Sequence, residues 1–209
     1  MIWIAILLHY PWWNNNKKKF CLLEFLDETF DKRDFTGEPL PKGEYESCVF
    51  KHCNFSGSAL SSIRFIDCMF IGSNLSLVRL DKTVLRDAQF KECKMVGLHF
   101  EQCDPFGLSF SFEGGLLDQS SFYRAKLKKT VFKGIQLREV DLTECDLTSA
   151  VFDNCDLTGA TFENTILEKA DLRTSFNYSI DPERNRVKKA KFSLQGLPGL
   201  LNKYDIEIH

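Results

Sequence analysis

From residue 50 onward a bulky apolar side chain recurs at every fifth position, flanked by polar residues. Phe50, Phe55, Leu60, Phe65, Phe70, Leu75, Leu80, Leu85, Phe90, Met95 and Phe100 form a first run without a miss. A second run goes Phe112, Leu117, Phe122, Leu127, Phe132, Leu137, Leu142, Leu147, Phe152, Leu157, Phe162, Leu167 and Leu172. A period of five suits neither regular element. On an α-helix successive centres would lie about 140° apart, so the stripe would wander round the helix. On a strand they would alternate faces. The pattern fits a chain that turns one corner per pentad and returns the same side inward each time. Four corners close a square coil of 20 residues. Such coils stack through parallel β-type hydrogen bonds about 4.8 Å apart.

The other pentad positions agree. Two residues before most centres stands a small side chain, as at Ser58, Ser73, Thr83, Ala88, Ser120, Ala150 and Ala160. Phe30, Phe50, Phe70 and Phe90 are expected to stack in one column, with Phe110 as its candidate last member. Phe112, Phe132 and Phe152 are expected to form another. Seven of the eight cysteines (48, 53, 68, 93, 103, 145, 155) fall in the small inward slot or its expected place. Buried free cysteine commonly fills such a position. Cys48 and Cys68 should be stacked neighbours. No CxxC pair exists, and His52 and His99 sit on outward positions, so no zinc site is expected. Reduced thiols point to a cytoplasmic protein.

Segments such as Ala150 to Phe162, AVFDNCDLTGATF, resemble the consensus of the pentapeptide-repeat family, and the resemblance covers about residues 28–192. It implies an all-β fold: a right-handed quadrilateral parallel β-helix, with a short C-terminal helix. Right-handed parallel crossovers are also the general rule.

The repeat divides the chain. Residues 1–27 lie outside it. Their apolar start is too short to span a bilayer, and Lys17 to Lys19 follow it rather than precede it. A tail is expected, with a membrane anchor through residues 1–13 as the alternative. In the first coil Glu28, Arg33 and Glu38 occupy the small slot, which reads as a charged cap. Near 101–111 two extra residues shift the register, and Pro105, Gly107, Gly114 and Gly115 supply the breakers of a bulge. Residues 193–209 read as a helix through Leu197, Leu200 and Leu201, then an alternating strand through Tyr204, Ile206 and Ile208.

That ending resembles the pentapeptide-repeat proteins that protect DNA gyrase. The resemblance implies that Leu197, Leu200, Leu201, Tyr204, Ile206 and Ile208 join two rods end to end in a homodimer. An exposed β edge at the last coil points the same way.

Charge adds a functional reading. The net charge is −2, yet residues 134–172 carry −7 and residues 30–133 carry +2. The acids are Glu139, Asp141, Glu144, Asp146, Asp153, Asp156, Glu163, Glu168 and Asp171, all outward in the pentad. An acidic rod of DNA-like dimensions could occupy the positive DNA channel of DNA gyrase or topoisomerase IV. The alternative is an interaction scaffold with no topoisomerase role. The basic stretch Arg124, Lys126, Lys128, Lys129 and Lys133 departs from uniform DNA mimicry. No GxGxxG, Walker loop, HExxH or GxSxG motif occurs. With no catalytic constellation and little chain left for a pocket, an enzyme, a cofactor, a metal and direct nucleic-acid binding are not expected.

Overall fold

The computed structural model describes residues 23–207, which wind into a quadrilateral parallel β-helix. Pentad centres point to the axis, and the second residue after a centre turns the corner. At most corners that residue takes a left-handed backbone, as at Asp67, Lys82, Asp87 and Glu92 (φ between 49° and 56°). A non-glycine residue there costs about 1–2 kcal/mol. Its N–H is in turn bonded to the next coil, as from Asp67 to the Arg86 carbonyl at 2.9 Å.

Face 1 carries the column beginning at Phe25, face 2 that of Phe30, face 3 that of Phe35 and face 4 that of Leu40. Two faces hold true sheets. Face 1 stacks β1 (Leu23–Leu26), β3 (Gly43–Glu46), β5 (Arg64–Ile66) and β7 (Val84–Arg86). Face 2 stacks β2 (Thr29–Asp31), β4 (Val49–Lys51), β6 (Met69–Ile71), β8 (Ala88–Lys91), β9 (Phe110–Glu113), β10 (Val131–Lys133) and β11 (Val151–Asp153). Elsewhere coils meet through single bridges such as Asn54↔Asn74 and Asp141↔Thr161. The flanking residues account for much of the difference. Apolar or β-branched flanks, as in Val49-Phe50-Lys51, favour extended backbone. An Asp or Asn before the centre bends the chain, as where Asp141 Oδ1 accepts the Thr143 N–H at 2.9 Å.

The core corrects one expectation. Phe30, Phe50, Phe70, Phe90, Phe112, Phe132 and Phe152 form a single stack, with successive ring centroids 4.8–5.4 Å apart. The two columns expected from the sequence are one. Phe90 pairs with Phe112, so the inserted residues are absorbed without breaking the ladder. Phe110 pairs with Ala88 instead and lies in the small slot. The bulge is confined to face 1 between Asp104 and Ser109, where Phe106 is turned outward, 78% exposed. Only the half-buried Leu108 reaches the core there, and Phe110 fills in, its ring 5.3 Å from Phe100 and 5.1 Å from Phe112.

The small slot also has a bonding role that size alone does not convey. Its side chain donates to the carbonyl of a centre one coil back: Cys68 to Tyr45, Ser73 to Phe50, Thr83 to Leu60 and Thr165 to Leu142. Hence Cys, Ser and Thr share a position with Ala. The seven described cysteines, Cys48 and Cys68 included, are free thiols. Burial pushes Cys68, Cys103 and Cys145 up to about 12, which favours the protonated thiol.

Both ends differ from the sequence expectation. Leu23–Leu26, placed in the tail, is strand β1, because Phe25 stacks on Tyr45 at 4.4 Å and gains a partner for its backbone. Glu28, Arg33 and Glu38 are exposed and do not enter the slot. At the other end the short helix is a 3₁₀ turn, Leu197–Leu200, followed by a second, Asn202–Tyr204. The expected strand does not form among the described residues: Asp205 turns left-handed (φ 50°) and breaks the alternation. Ile208 lies outside them, as does the proposed anchor at residues 1–13. No helix among the described residues is long and apolar enough to cross a membrane.

Candidate partner-binding surface

The nine acids are spread over four faces. Face 4 and its two corners hold Glu139, Asp141, Glu144 and Glu163, face 3 Asp156, face 1 Asp146 and Glu168, and face 2 Asp153 and Asp171. Pentad position then separates them. Asp141, Asp146, Asp156 and Asp171 each precede a centre, and each accepts the backbone N–H two residues on. They hold turns as well as charge. The side chain of Asp156 is only 9% exposed. Burial alone would raise its carboxyl, but hydrogen bonds from Thr158, Arg138 and Asn177 outweigh that and hold it at about 2. The Arg173 guanidinium holds Asp171 at about 2 as well.

Most of these carboxylates also meet bases from adjoining coils. Arg124 holds Glu144 at 2.6 Å, Lys128 holds Asp146 at 3.1 Å and Arg138 holds Asp156 at 2.7 Å. From the C-terminal side Arg184 reaches Glu163 at 3.0 Å and Arg186 reaches Glu168 at 2.7 Å. Asp171 meets Arg173 and Lys191. The acidic segment is therefore a girdle between two basic ones, because residues 173–209 carry +3. Glu139 and Asp153 are held by neutral groups, Gln119 and Thr174. Sequence counting misses the pairing because partners lie about 20 residues apart, one coil away.

Faces 1 and 4 of the C-terminal half, which share an edge, differ in sign. Face 4 presents Glu139, Asp141, Glu144, Glu163, Asp181 and Glu183 against Arg124 and Arg184. Face 1 presents Lys126, Lys128, Lys129, Lys169, Arg186, Lys188 and Lys189 against Asp146 and Glu168. Lys203 bonds both Asp181 and Glu183, and Tyr204 donates to Glu183 at 3.1 Å, which fastens the C-terminal turns to face 4. Of the residues expected at a dimer contact, Leu197 is 43% and Ile206 56% exposed, and Tyr204 is exposed too, while Leu200 and Leu201 are half-buried. Leu194, which the sequence reading passed over, is 81% exposed beside them. Among the described residues no three or more His, Cys, Asp or Glu side chains come together as metal ligands would.

Stacked square coils with flat, charged outer walls define a β-solenoid of pentad repeats. A family profile for the pentapeptide repeat region matches residues 44–111 and 99–177, and the chain belongs to the pentapeptide-repeat family. The quinolone resistance pentapeptide repeat protein QnrB96 of Scandinavium goeteborgense is 27% identical over 117 residues, covering 49% of this chain and 52% of that one. The chain thus spans about half the length of this curated relative. Among solved structures, a trypsin-treated form of QnrB1, a plasmid-mediated fluoroquinolone resistance protein, is 21% identical, with a TM-score of 0.45 over 90% of this chain and 98% of that one. HetL of the cyanobacterium Nostoc, involved in heterocyst differentiation regulation, is 16% identical, with a TM-score of 0.39 over 83% and 87%.

Proposed function

We propose that this protein is a non-enzymatic rod that binds a type II topoisomerase, DNA gyrase or topoisomerase IV, and protects it from quinolones. The observation that carries the reading is the sequence similarity to a quinolone resistance pentapeptide-repeat protein. The geometry supports it through face 4, where Glu139, Asp141 and Glu144 cluster on one coil and Glu163 lies on the next, about 4.8 Å along the axis. Seven such coils make a rod of about 35 Å. Two of them joined through Leu194, Leu197, Tyr204 and Ile206 would match roughly 20 base pairs at about 3.4 Å each. The sign change at the edge with face 1 orients the rod: face 4 meets the basic DNA channel and face 1 turns away from it.

The test is pull-down of gyrase, with supercoiling assayed in ciprofloxacin. Glu139, Glu144 and Glu163 changed together to Lys should lose binding and protection while the far-UV circular dichroism stays unchanged, since none of the three holds a turn. Binding that survives this reversal removes face 4 from the reading. Absence of any topoisomerase binding by the wild type leaves the interaction-scaffold reading. A monomer mass in light scattering at micromolar concentration removes the homodimer.

A further inference from the structure

The bulge on face 1 parts two coils that are joined everywhere else along that wall. In the C-terminal half the residue before each face-1 centre donates its backbone N–H to the coil behind it. Asp146 reaches the Ala125 carbonyl at 3.0 Å, Ile166 that of Cys145 at 2.8 Å and Arg186 that of Thr165 at 3.0 Å. Lys126 holds the same position one coil earlier, and its N–H has no such acceptor. Among the described residues no backbone hydrogen bond or bridge joins residues 104–109 to residues 124–129. Beside this gap lies a cleft of about 320 Å³, which runs from Asp87 past Ser109 and Ser111 to Thr130.

The lining is cationic. Lys126, Lys128 and Lys129 all border the cleft, and Asp87 is the one acid among its described lining residues. Asp87 is already engaged: its carboxylate accepts from the Ser109 hydroxyl at 3.1 Å, and its N–H donates to the same oxygen at 2.8 Å. Lys128 reaches Asp146 at 3.1 Å, while Lys126 and Lys129 pair with no acid among the described residues. Three ammonium groups around one opening call for a ligand with more than one negative charge. Phosphate meets that need, because its several oxygens can accept from ammonium, hydroxyl and backbone N–H donors together. The volume lies at the lower end of the roughly 300–1,000 Å³ typical of small-molecule clefts. Leu108 and Gln89 offer a wall for the rest of such a molecule. We propose that this cleft binds a small phosphorylated ligand of nucleotide size, with its phosphates on Lys126, Lys128 and Lys129. The site is independent of any topoisomerase role.

Isothermal titration calorimetry of the full chain with pyrophosphate and with ADP tests this. Both probes should bind at low salt, and more weakly as salt is raised. Lys126→Gln together with Lys129→Gln should weaken both by at least about tenfold. The far-UV circular dichroism should stay unchanged, since both side chains are exposed. Ser111→Phe, which fills the cleft and leaves its charge alone, should weaken binding as much with the β-type circular dichroism retained. Lys169, Lys188 and Lys189, exposed on later coils of face 1, should leave binding unchanged when altered together to Gln. Absence of binding at millimolar probe overturns the proposal. An equal loss from the Lys169, Lys188 and Lys189 variant makes face 1 a diffuse basic surface and overturns it too, as does full binding by Ser111→Phe. Duplex DNA that displaces ADP and binds more tightly through Lys126 and Lys129 assigns these lysines to a nucleic-acid backbone, which refutes the small-molecule site.

Discussion

The coils before the bulge and the coils after it stack in the same register with different means. Before it, faces 1 and 2 are laddered strands, and centres such as Phe50, Phe55, Phe65 and Phe70 form a herringbone of stacked and edge-on rings. After it, strands persist only on face 2, and leucines fill most other centres behind Asp-Leu-Thr turns at 141–143, 146–148 and 156–158. The first half relies on aromatic contact, the second on leucine packing and turn carboxylates. The same carboxylates that lock the second half give it its acidic surface. Turn stability and surface charge therefore draw on overlapping side chains there.

Core truncation should show the largest effect and the sharpest contrast. Phe70→Ala removes a ring stacked on both Phe50 and Phe90 and should cost about 3–5 kcal/mol in urea unfolding. Leu142→Ala in the second half should cost less, about 2–3 kcal/mol, because a smaller void is left. Equal losses would mean that aromatic stacking adds nothing special to the first half. Where the halves meet, Gly115 has a positive φ of 84°, and an added Cβ would collide with the Cys93 carbonyl oxygen. Gly115→Ala should cost about 2–4 kcal/mol. Gly57→Ala, at a corner with open space around it, should cost about 1 kcal/mol. A mild Gly115→Ala would mean that the junction relaxes freely and does not fix the register of the second half.

Acid sensitivity separates the halves next. The Asp156 carboxyl is depressed to about 2, so its stabilisation is complete above its unfolded value near 4 and is lost as pH falls toward 2. The contribution at neutral pH is at most about 2 kcal/mol. Asp156→Asn keeps the turn acceptor but loses the charge on Arg138. Its deficit against wild type should shrink toward zero between about pH 4 and pH 2. Asn54→Asp, which places a carboxylate at the matching turn in the first half, should create a new acid dependence there. An unchanged Asp156→Asn deficit at low pH would assign that position to packing alone.

The sequence made the coil, its centres and its slot legible because each is a strict period of one side-chain size. The single Phe column was less so. A two-residue insertion shifts the written register by two, and only packing decides whether Phe110 or Phe112 continues the stack. β1 escaped notice because Leu23–Leu26 lacks a small residue in its slot, yet Phe25 still finds Tyr45 beneath it. The acidic segment was visible as a count, and its neutralisation was not. Arg124, Arg184 and Arg186 lie a coil away from their carboxylates, and a linear window cannot join them. The contrast between faces 1 and 4 was hidden for the same reason, since consecutive pentads belong to different walls.

The smallest expected effect bears on function most directly. Glu144 is exposed, bonded to Arg124 Nε and Nη2, and held below the ordinary carboxylate range by that guanidinium. Exposed pairs contribute little to stability, since solvent and salt screen them and two long side chains must be ordered. Glu144→Gln and Arg124→Gln should therefore leave the unfolding midpoint unchanged within error, at low and at high salt. Their effects on a partner should oppose each other. Glu144→Gln removes negative charge from face 4 and should weaken binding of a basic channel. Arg124→Gln frees the carboxylate and should strengthen it, and the difference should fade as salt is raised. If both variants weaken binding equally, the pair is recognised as a shape. The second half would then serve its partner as a rigid wall, and its charge would be incidental to the turns that produce it.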